Sequence, residues 1–598
     1  MQEKAALQLQ LPAGAPVSAS STDNASPTSL TPSSTFSTSS QVSSESVTTL
    51  SSSSIIDDAS LLVAKISTLR LLTTHVGGAL ALFLATTDAT IVSTSLPTIA
   101  SDLTATQSQY TWVGVAYMLT QTAFQPLYGR FSDIIGRKVL LFASIIIFAI
   151  GSLLCGAAQD ITWLIAARAL AGTGGGGIVS AVWTITAEIV PIERRAKWSQ
   201  ALSITWSCSA IAGPLLGGVF SSHQGSSPIS WRWGFYMNLP ICFVAFIVLY
   251  FSLDGVPLSR STDSSWRTLA QRFDFGGLVL FMGGSSCIVV GFSFATEAGW
   301  TSPSTLILII LGLVVLVCGG FYEMHTSRDS LFPPSTFNDL TAVIILIVTF
   351  LHNFAFNAGT FYLALFYQAA DGLLPFEAGI KMLPYSLGSS LASMPAAWFI
   401  GHRQSRVRDT SGQIITIVLG LVLSTIGFGL LIILNENSSV AQQTIYPLIA
   451  GIGLGLLFHA PYQVFLRALK PREVGTGTSA FFLVRFTGAT IGLAVAGAVF
   501  YGRSSTRLPP NLPSQHSMGS IDYSQLTHLQ PLELRQQVLQ VVSSSIQTIW
   551  MVCSPCLGVA LLISLLLRKA VIEDSPNSDP PRERSTSQEA ESPSAEKV

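Results

Sequence analysis

Three charged side chains stand inside long apolar segments of this chain: Asp88, Arg168 and Arg485. Charged groups are costly in an apolar environment, and where they occur they usually serve the movement of ions or protons. A carboxylate in such a place can bind and release a proton, because burial favours its neutral form and a nearby Arg favours its charged form. Asp88 and Arg168 are therefore candidates for proton chemistry, and Arg485 is a candidate for substrate binding or for structure.

The apolar segments that carry these charges have the length of membrane-spanning helices. A hydrocarbon core about 30 Å thick needs ~20 helical residues per crossing. The chain is 49% hydrophobic and only 11% charged, whereas soluble proteins carry about 25% charged residues. The pattern predicts an all-α integral membrane protein with 14 transmembrane spans. The predicted spans are 74–97, 111–128, 139–158, 162–184, 200–220, 234–252, 275–295, 305–322, 341–363, 378–400, 412–434, 444–466, 477–501 and 546–567.

Basic residues in the loops predict the orientation, because Lys and Arg are held on the cytoplasmic side. Loops after even-numbered spans hold 16 of them, and loops after odd-numbered spans hold 4. Both termini are therefore predicted to face the cytosol. Asp88 then lies ~20 Å from the cytoplasmic end of the first span, and Arg168 ~10 Å from the outer end of the fourth. In a 30 Å core these depths nearly coincide, so the two groups can meet.

The meeting of Asp88 and Arg168 would be an ion pair or a shared water-filled site. The alternative is that either group faces an interface or stabilises packing. Arg485, in the thirteenth span, lies ~12 Å from the cytoplasmic side by the same helical rise, and its binding and structural roles are equally open.

Several other motifs give no support to catalysis. Gly172 to Gly177 matches G-x-G-x-x-G but lies inside a span, where glycines let helices approach closely, rather than after a strand. Cys553 and Cys556 have C-x-x-C spacing inside the last span, which favours packing over redox chemistry. The histidines lack metal-ligand spacing, and no phosphate-binding loop is present. We expect no enzyme activity, no cofactor, no metal and no nucleic-acid partner.

The loop after the second span contains the run Gly129-Arg-Phe-Ser-Asp133-Ile-Ile-Gly136-Arg137-Lys138, which resembles the signature loop of the major facilitator superfamily. Its glycines allow a tight turn, and Asp133 and Arg137, four residues apart, can meet on one helical face. Ordinary orientation-setting charge is the alternative, which the complete spacing disfavours. The resemblance implies a gating role for this loop. The residues concerned are Gly129, Arg130, Asp133, Gly136 and Arg137.

Two further motifs are similar to those of proton-coupled members of that superfamily. Arg168 opens the run Arg-Ala-Leu-Ala-Gly-Thr-Gly-Gly-Gly, which resembles a fourth-span motif whose Arg is implicated in proton coupling. In the fifth span, small residues at every fourth position surround a Gly-Pro kink and resemble the antiporter motif. Such a helix can bend and pack closely, and packing alone is the alternative interpretation. The antiporter motif consists of Ser209, Gly213, Pro214, Gly217 and Gly218.

The first-span pattern from Asp88 to Pro97 and the segment from Trp231 to Pro240 resemble the fourteen-span drug:proton antiporters, particularly fungal members. Trp112 to Lys138 also resembles fungal vacuolar transporters of basic amino acids. The implied architecture is a major facilitator fold of two six-helix bundles, spans 1–6 and 9–14, with spans 7 and 8 inserted. The implied domains are a disordered cytoplasmic tail 1–72, an N-terminal bundle 73–253, a cytoplasmic linker with the inserted spans 254–340, a C-terminal bundle 341–568 and a disordered tail 569–598.

The leading hypothesis is a monomeric exporter in the plasma membrane that exchanges protons for a small amphiphilic molecule. Its partners would be the substrate, protons and the lipid bilayer. One rival is a vacuolar transporter of basic amino acids in the vacuole membrane, which the scarcity of acidic residues within the spans disfavours. Another is a receptor or nutrient sensor that does not transport, which the retained Asp88, Asp133 and Arg168 disfavour. A segment at Leu532–Val542 is predicted to form a helix on the outer membrane surface.

Overall fold

The computed structural model describes residues 67–569, except 191, 223–229, 255, 257, 259–264, 327, 329–330, 333, 408, 470–473, 509–525 and 527–529. The predicted tails therefore lie almost entirely outside the described residues. The described residues form α-helices and no β-strand. The helices are α1 Thr68–Asp102, α2 Gln107–Ile135, α3 Arg137–Ala157, α4 Ile161–Ile189, α5 Ile192–Ser221, α6 Trp233–Tyr236, α7 Asn238–Ser252, α8 Trp266–Arg272, α9 Phe275–Glu297, α10 Pro303–His325, α11 Pro334–Asn338, α12 Leu340–Ala369, α13 Pro375–Lys381, α14 Leu383–Val407, α15 Ser411–Leu431, α16 Val440–Leu456, α17 Ala460–Arg467, α18 Val474–Ser505 and α19 Leu532–Ser564.

Twelve helical segments of the described chain are long and apolar enough to cross a membrane, which confirms the prediction of an all-α membrane protein. Two further helices, α2 with 29 residues and α14 with 25, occupy the predicted second and tenth spans but are more polar. Both pack against helices of the opposite half of the molecule, which shields their polar side chains from lipid. The count of fourteen spans is not confirmed by these lengths and compositions and stays a prediction.

The helices pack in a pattern that occurs twice. In the first half α1 packs against α5 and α7, and α4 packs against α2 and α3. In the second half α12 packs against α18 and α19, and α16 packs against α14 and α15. Across the halves α2 meets α18, α5 meets α14, and α1 meets α12. This repetition is the packing expected of two bundles related by a pseudo-two-fold axis.

Helices α9 and α10, the predicted inserted pair, pack against each other, and α9 also contacts α2 and α18. The indole N–H of Trp112 on α2 donates to Ser293 Oγ on α9 at 2.7 Å, and Ser108 Oγ lies 2.7 Å from the same atom. The inserted pair is therefore attached to helices of both halves.

Two predicted boundaries are wrong. Helix α1 begins at Thr68, so residues 68–72, predicted as tail, belong to the first helix. The segment Leu532–Val542 is not a separate surface helix, because α19 runs without a break for 33 residues from Leu532 to Ser564. Val538 and Val542 are buried against neighbouring helices, which accounts for the continuation.

Candidate functional site

Asp88 lies near the middle of α1 between two threonines whose hydroxyls bond back to their own helix. Thr86 Oγ1 donates to Leu82 O at 2.8 Å, and Thr90 Oγ1 donates to Thr87 O at 3.1 Å. Hydroxyls bonded back to their own helix add little polarity to the outside of a span. The carboxylate of Asp88 has no such local partner and points towards other helices, where it is 1% exposed.

Three helices converge on this carboxylate. Arg168 Nη1 of α4 donates to Asp88 Oδ2 in an ion pair that is fully buried. Asn238 Nδ2 of α7 donates to Asp88 Oδ1 at 2.9 Å and to Ser152 Oγ of α3 at 3.1 Å. The predicted meeting of Asp88 and Arg168 is thus what the structure contains, while its role in proton coupling stays a proposal.

The guanidinium of Arg168 is also held by neutral groups. It lies 4.3 Å from the ring centre of Tyr117 and 5.7 Å from that of Phe235, and its Nε donates to Val113 O at 3.3 Å. A cation over an aromatic face is stabilised by about 0.5–2 kcal/mol. If Asp88 were neutralised, Arg168 would therefore keep part of its stabilisation within the same pocket.

The glycine run of α4 lets this helix pack closely against its neighbours, which places Arg168 beside Asp88. A Cβ at Gly172 would lie 2.2 Å from Tyr117 O, and one at Gly174 would lie 2.3 Å from the backbone N of Phe148. Side chains at these positions would push α4 away from α2 and α3. The run therefore serves helix packing, as small residues in membrane spans do.

The motif between α2 and α3 differs from the expectation in one respect. Helix α2 ends at Ile135, and Gly136 has φ +94°, a conformation that favours glycine. Asp133 and Arg137 therefore belong to different helices rather than one helical face, so that prediction is wrong. Arg137 Nε donates to Glu188 Oε1 of α4 at 2.8 Å. The side chain of Asp133 lies outside the described part of the structure.

The same motif approaches the second half of the molecule. Arg130 and Gly129 lie near the end of α2, and a Cβ at Gly129 would be 3.4 Å from Ser479 Oγ on α18. This position lies at the interface between the halves, at the end predicted to face the cytosol. A gating role for the motif stays a prediction.

The antiporter motif packs α5 against α1 next to Asp88. A Cβ at Gly213 would lie 2.0 Å from Thr90 Oγ1, and one at Gly217 would lie 2.1 Å from Ile91 O. Thr94 Oγ1 donates to Pro214 O, a carbonyl of α5, at 2.8 Å. The motif's second face meets the other half of the molecule. There, a Cβ at Gly218 would lie 2.6 Å from the carbonyl O of Pro375.

Arg485 on α18 lines a cleft between the two halves. In the described conformation the cavity has about 20 Å³, room for about one water molecule, so a larger ligand requires the two halves to move apart. Helices α4 and α5 of the first half contribute two tryptophans, and α14, the α16–α17 segment and α18 of the second half contribute the rest. The lining residues are Trp183, Trp206, Ser393, Phe458, His459, Tyr462, Phe481, Phe482 and Arg485.

The guanidinium of Arg485 is stabilised only by aromatic rings within the described structure. It lies 4.5 Å from the ring centre of Trp206 and 5.4 Å from that of Phe458. No hydrogen bond or ion pair of Arg485 is found among the described residues, and the cleft lining includes no carboxylate. Arg485 is 8% exposed. The predicted choice between binding and structure therefore concerns a nearly buried cation that has no counter-ion among the described residues.

The opposite ends of the two halves are in contact. Gln368 Nε2 of α12 donates to Thr94 O of α1 at 3.1 Å, and Phe376 N of α13 donates to Ser222 Oγ after α5 at 2.9 Å. These contacts lie at the end predicted to face outward, whereas the cleft lies towards the predicted cytosolic end. The described conformation is thus closed on one side of the cleft.

Asn238 and Trp206 were not predicted as site residues. Asn238 stands in the segment from Trp231 to Pro240 that carries part of the family resemblance. The sequence therefore marks this segment but assigns Asn238 no role. Trp206 had no signal, because an aromatic residue in a span is ordinary and only the packed structure places it over Arg485.

Comparison with known proteins matches residues 78–493 to the family described as Major Facilitator Superfamily. An uncharacterized MFS-type transporter of Schizosaccharomyces pombe is 30% identical, and the alignment covers 83% of this chain and 81% of that one. The efflux pump dotC of Dothistroma septosporum is 30% identical, with 83% of each chain covered. The efflux pump FUS6 of Gibberella fujikuroi is 28% identical, with 83% of this chain and 89% of that pump covered.

Solved structures share the fold at low sequence identity. A bacterial homologue of the human lysosomal transporter Spinster, inward-facing and occupied, has a TM-score of 0.56 and 13% identity, covering 84% of this chain and 97% of that one. The peptide transporter POT in complex with sulfate has a TM-score of 0.54 and 13% identity, covering 85% and 99%. With its helical architecture and a family match over most of its length, the chain belongs to the major facilitator superfamily, whose members are multi-pass membrane transporters of small molecules.

Proposed function

We propose that this protein is a proton-coupled exporter of small amphiphilic molecules that works by alternating access. The observation that carries the proposal is the buried Asp88 carboxylate, shared between Arg168 of α4 and Asn238 of α7. Its relatives dotC and FUS6, which are named efflux pumps, support export as the direction of transport.

Asp88 suits the binding and release of a proton because its two charge states make different contacts. The ionised carboxylate pairs with Arg168 and accepts from Asn238. Protonation removes the charge that attracts the guanidinium, which then keeps Tyr117 and the backbone carbonyls of Val113 and Asp88. A proton thereby changes the forces between α1, α4 and α7, which is the differential contact that a two-state transporter requires.

Helix α5 offers a route from the proton site to the cleft. It packs on α1 at Thr90, two residues after Asp88. The same helix carries Trp206, whose ring faces Arg485 on the second half. A shift of α1 relative to α5 would therefore move one wall of the cleft relative to the other. This coupling is the mechanism we propose for alternating access.

The cleft does not favour the rival function in basic amino-acid transport. A cationic substrate calls for a carboxylate in its site, but the described lining holds Arg485 and no acidic residue. Like charges at close range would repel such a substrate. We therefore retain amphiphilic compounds as the proposed substrate class.

The proposal is tested with purified full-length protein in liposomes whose interior is made acidic, so that proton exit drives probe uptake. Two permanently charged bicyclic probes of similar shape are offered separately: radiolabelled 2-naphthalenesulfonate and N-methylquinolinium. Uptake of at least one should need the pH gradient in wild type, and Asp88→Asn should lower it to the level of protein-free liposomes. Asp160→Asn, which makes the same chemical change at the exposed N-terminus of α4, should leave uptake unchanged because Asn also caps helices. Uptake of neither probe, or full activity of Asp88→Asn at normal insertion, would refute the proposal.

A further inference from the structure

We propose that the cleft between the halves binds an aromatic organic anion, with Arg485 holding the acidic group and the surrounding rings holding the aromatic body. The acidic group would be a carboxylate, phenolate or sulfonate. This inference rests on the proposed export function and narrows its substrate class from amphiphilic molecules to anionic ones.

The first support is the unbalanced charge of Arg485. A guanidinium within a membrane span normally pairs with a carboxylate or with backbone carbonyls. Asp88 already serves Arg168 in the first half. Arg485 has no hydrogen-bonding or ionic partner among the described residues, and its side chain lines the cleft. Its five N–H groups in a planar fork match the oxygens of a carboxylate or a sulfonate.

The second support is the ring of aromatic side chains around that cation. Trp183 of α4 lies 6.1 Å from Tyr462 and 6.0 Å from Phe482, measured between ring centres. Trp206 of α5 stacks on Phe486 of α18 at 6.5 Å, with an interplanar angle of 18°. These pairs join the first half to the second, and flat rings of this kind favour a planar aromatic ligand.

The third support is the position of the cation relative to those rings. Arg485 lies in the second half, but its nearest aromatic partner, Trp206, lies in the first. An anion bound to the guanidinium would replace this contact with a stronger one to the ligand. The same ligand's ring system would still touch Trp206 and Phe458. A substrate of this class would thereby contact both halves at once, as alternating access requires.

The test measures equilibrium binding and gradient-driven uptake of 2-naphthalenesulfonate and N-methylquinolinium by the full-length protein. Wild type should bind and transport the sulfonate and not the quinolinium. Arg485→Gln should weaken sulfonate binding by about tenfold to a hundredfold, the loss expected for charge-assisted hydrogen bonds. Arg485→Lys should retain part of it, because the charge remains. Arg267→Gln, an exposed position on α8, is the matched control and should bind like wild type.

The outcomes separate this inference from the proposed function. If the pH gradient drives uptake of the quinolinium while the sulfonate neither binds nor moves, the anion inference is wrong and the export function stands. If the sulfonate binds through Arg485 but the gradient drives uptake of neither probe, the binding site stands and proton-coupled export fails. Sulfonate binding by Arg485→Gln at wild-type affinity, in a variant that melts at the wild-type temperature, would also overturn the inference.

Discussion

At the scale of single residues, the candidate proton site is one carboxylate that accepts hydrogen bonds from two donors. Asp88 is buried, and its two oxygens accept from Arg168 and Asn238 on different helices. A charged group in such a position persists only if its hydrogen-bonding capacity is met. Both donors therefore stabilise the buried carboxylate, and Asn238 can be removed without abolishing the ion pair with Arg168.

Replacement of Asn238 with Ala should slow proton-coupled transport. The Asp88 carboxylate loses its donor from α7, so α7 is no longer linked to the proposed proton site, and the initial rate should fall by about threefold to tenfold. The measurement is the initial rate of gradient-driven probe uptake in liposomes. Ser152→Ala is the control, because Ser152 contacts Asn238 and not Asp88. An unchanged rate in Asn238→Ala would show that Asn238 serves packing only.

The pairing of Asp88 with Arg168 could be predicted because both depths follow from helical rise and span direction. The contact of Asn238 could not be predicted in this way. It comes from a residue 150 positions away in the chain, at the start of a helix whose rotation sequence alone does not define. Spacing along one helix shows which residues share a face of that helix. Contacts between helices depend instead on how closely the helices pack, which the small residues at their interfaces determine.

At the scale of helices, the antiporter motif makes α5 a close partner of α1. The nearest atoms to an added Cβ at Gly213 belong to Thr90, two residues after Asp88. A side chain there would act on the proton site as well as on packing. The motif also reaches the other half of the molecule through Gly218. Through these contacts the Gly-Pro segment links the proposed proton site on α1 to the second half of the molecule.

Gly213→Leu should stop gradient-driven uptake while leaving an inserted, folded protein. The Leu side chain would displace α1 from α5, since even a Cβ would lie 2.0 Å from Thr90 Oγ1. Such overpacking costs about 1–3 kcal/mol, which a large membrane protein tolerates. Uptake is measured in liposomes, and folding by melting temperature in detergent. Gly283→Leu on α9 is the control, because an added Cβ there meets no atom within 4 Å. If Gly213→Leu took up the probe at the wild-type rate, the motif would serve helix packing only.

The positions of the long helices followed closely from hydrophobic segments of the right length, because the bilayer fixes that length. The two exceptions are instructive. Helix α2 and helix α14 were also predicted as spans, but they are more polar than the other twelve, so their assignment as spans stays a prediction. The separate surface helix predicted at Leu532–Val542 is wrong because Val538, Leu539 and Val542 are buried and the segment continues into the last span.

At the scale of the whole molecule, the cleft could not be predicted. Its lining residues come from both halves, and nothing in the spacing of Trp206 and Arg485 along the chain indicates that they meet. The repeated packing of the halves brings them together. The sequence could identify Arg485 as an unusual charge, but only the assembled structure shows that aromatic rings, and no described carboxylate, surround it.

Transport of an anion in exchange for a proton makes a further prediction for the whole molecule. If one proton leaves the vesicle as one monovalent anion enters, two charges cross the membrane per cycle. An interior-positive potential of 100 mV would then supply about 4.6 kcal/mol, from about 2.3 kcal/mol per charge. Valinomycin with potassium outside the liposomes should therefore accelerate uptake of 2-naphthalenesulfonate, even without a pH gradient. Asp88→Asn and protein-free liposomes should show no such acceleration. Uptake by wild type that is indifferent to the imposed potential would exclude one-for-one exchange of a proton for an anion.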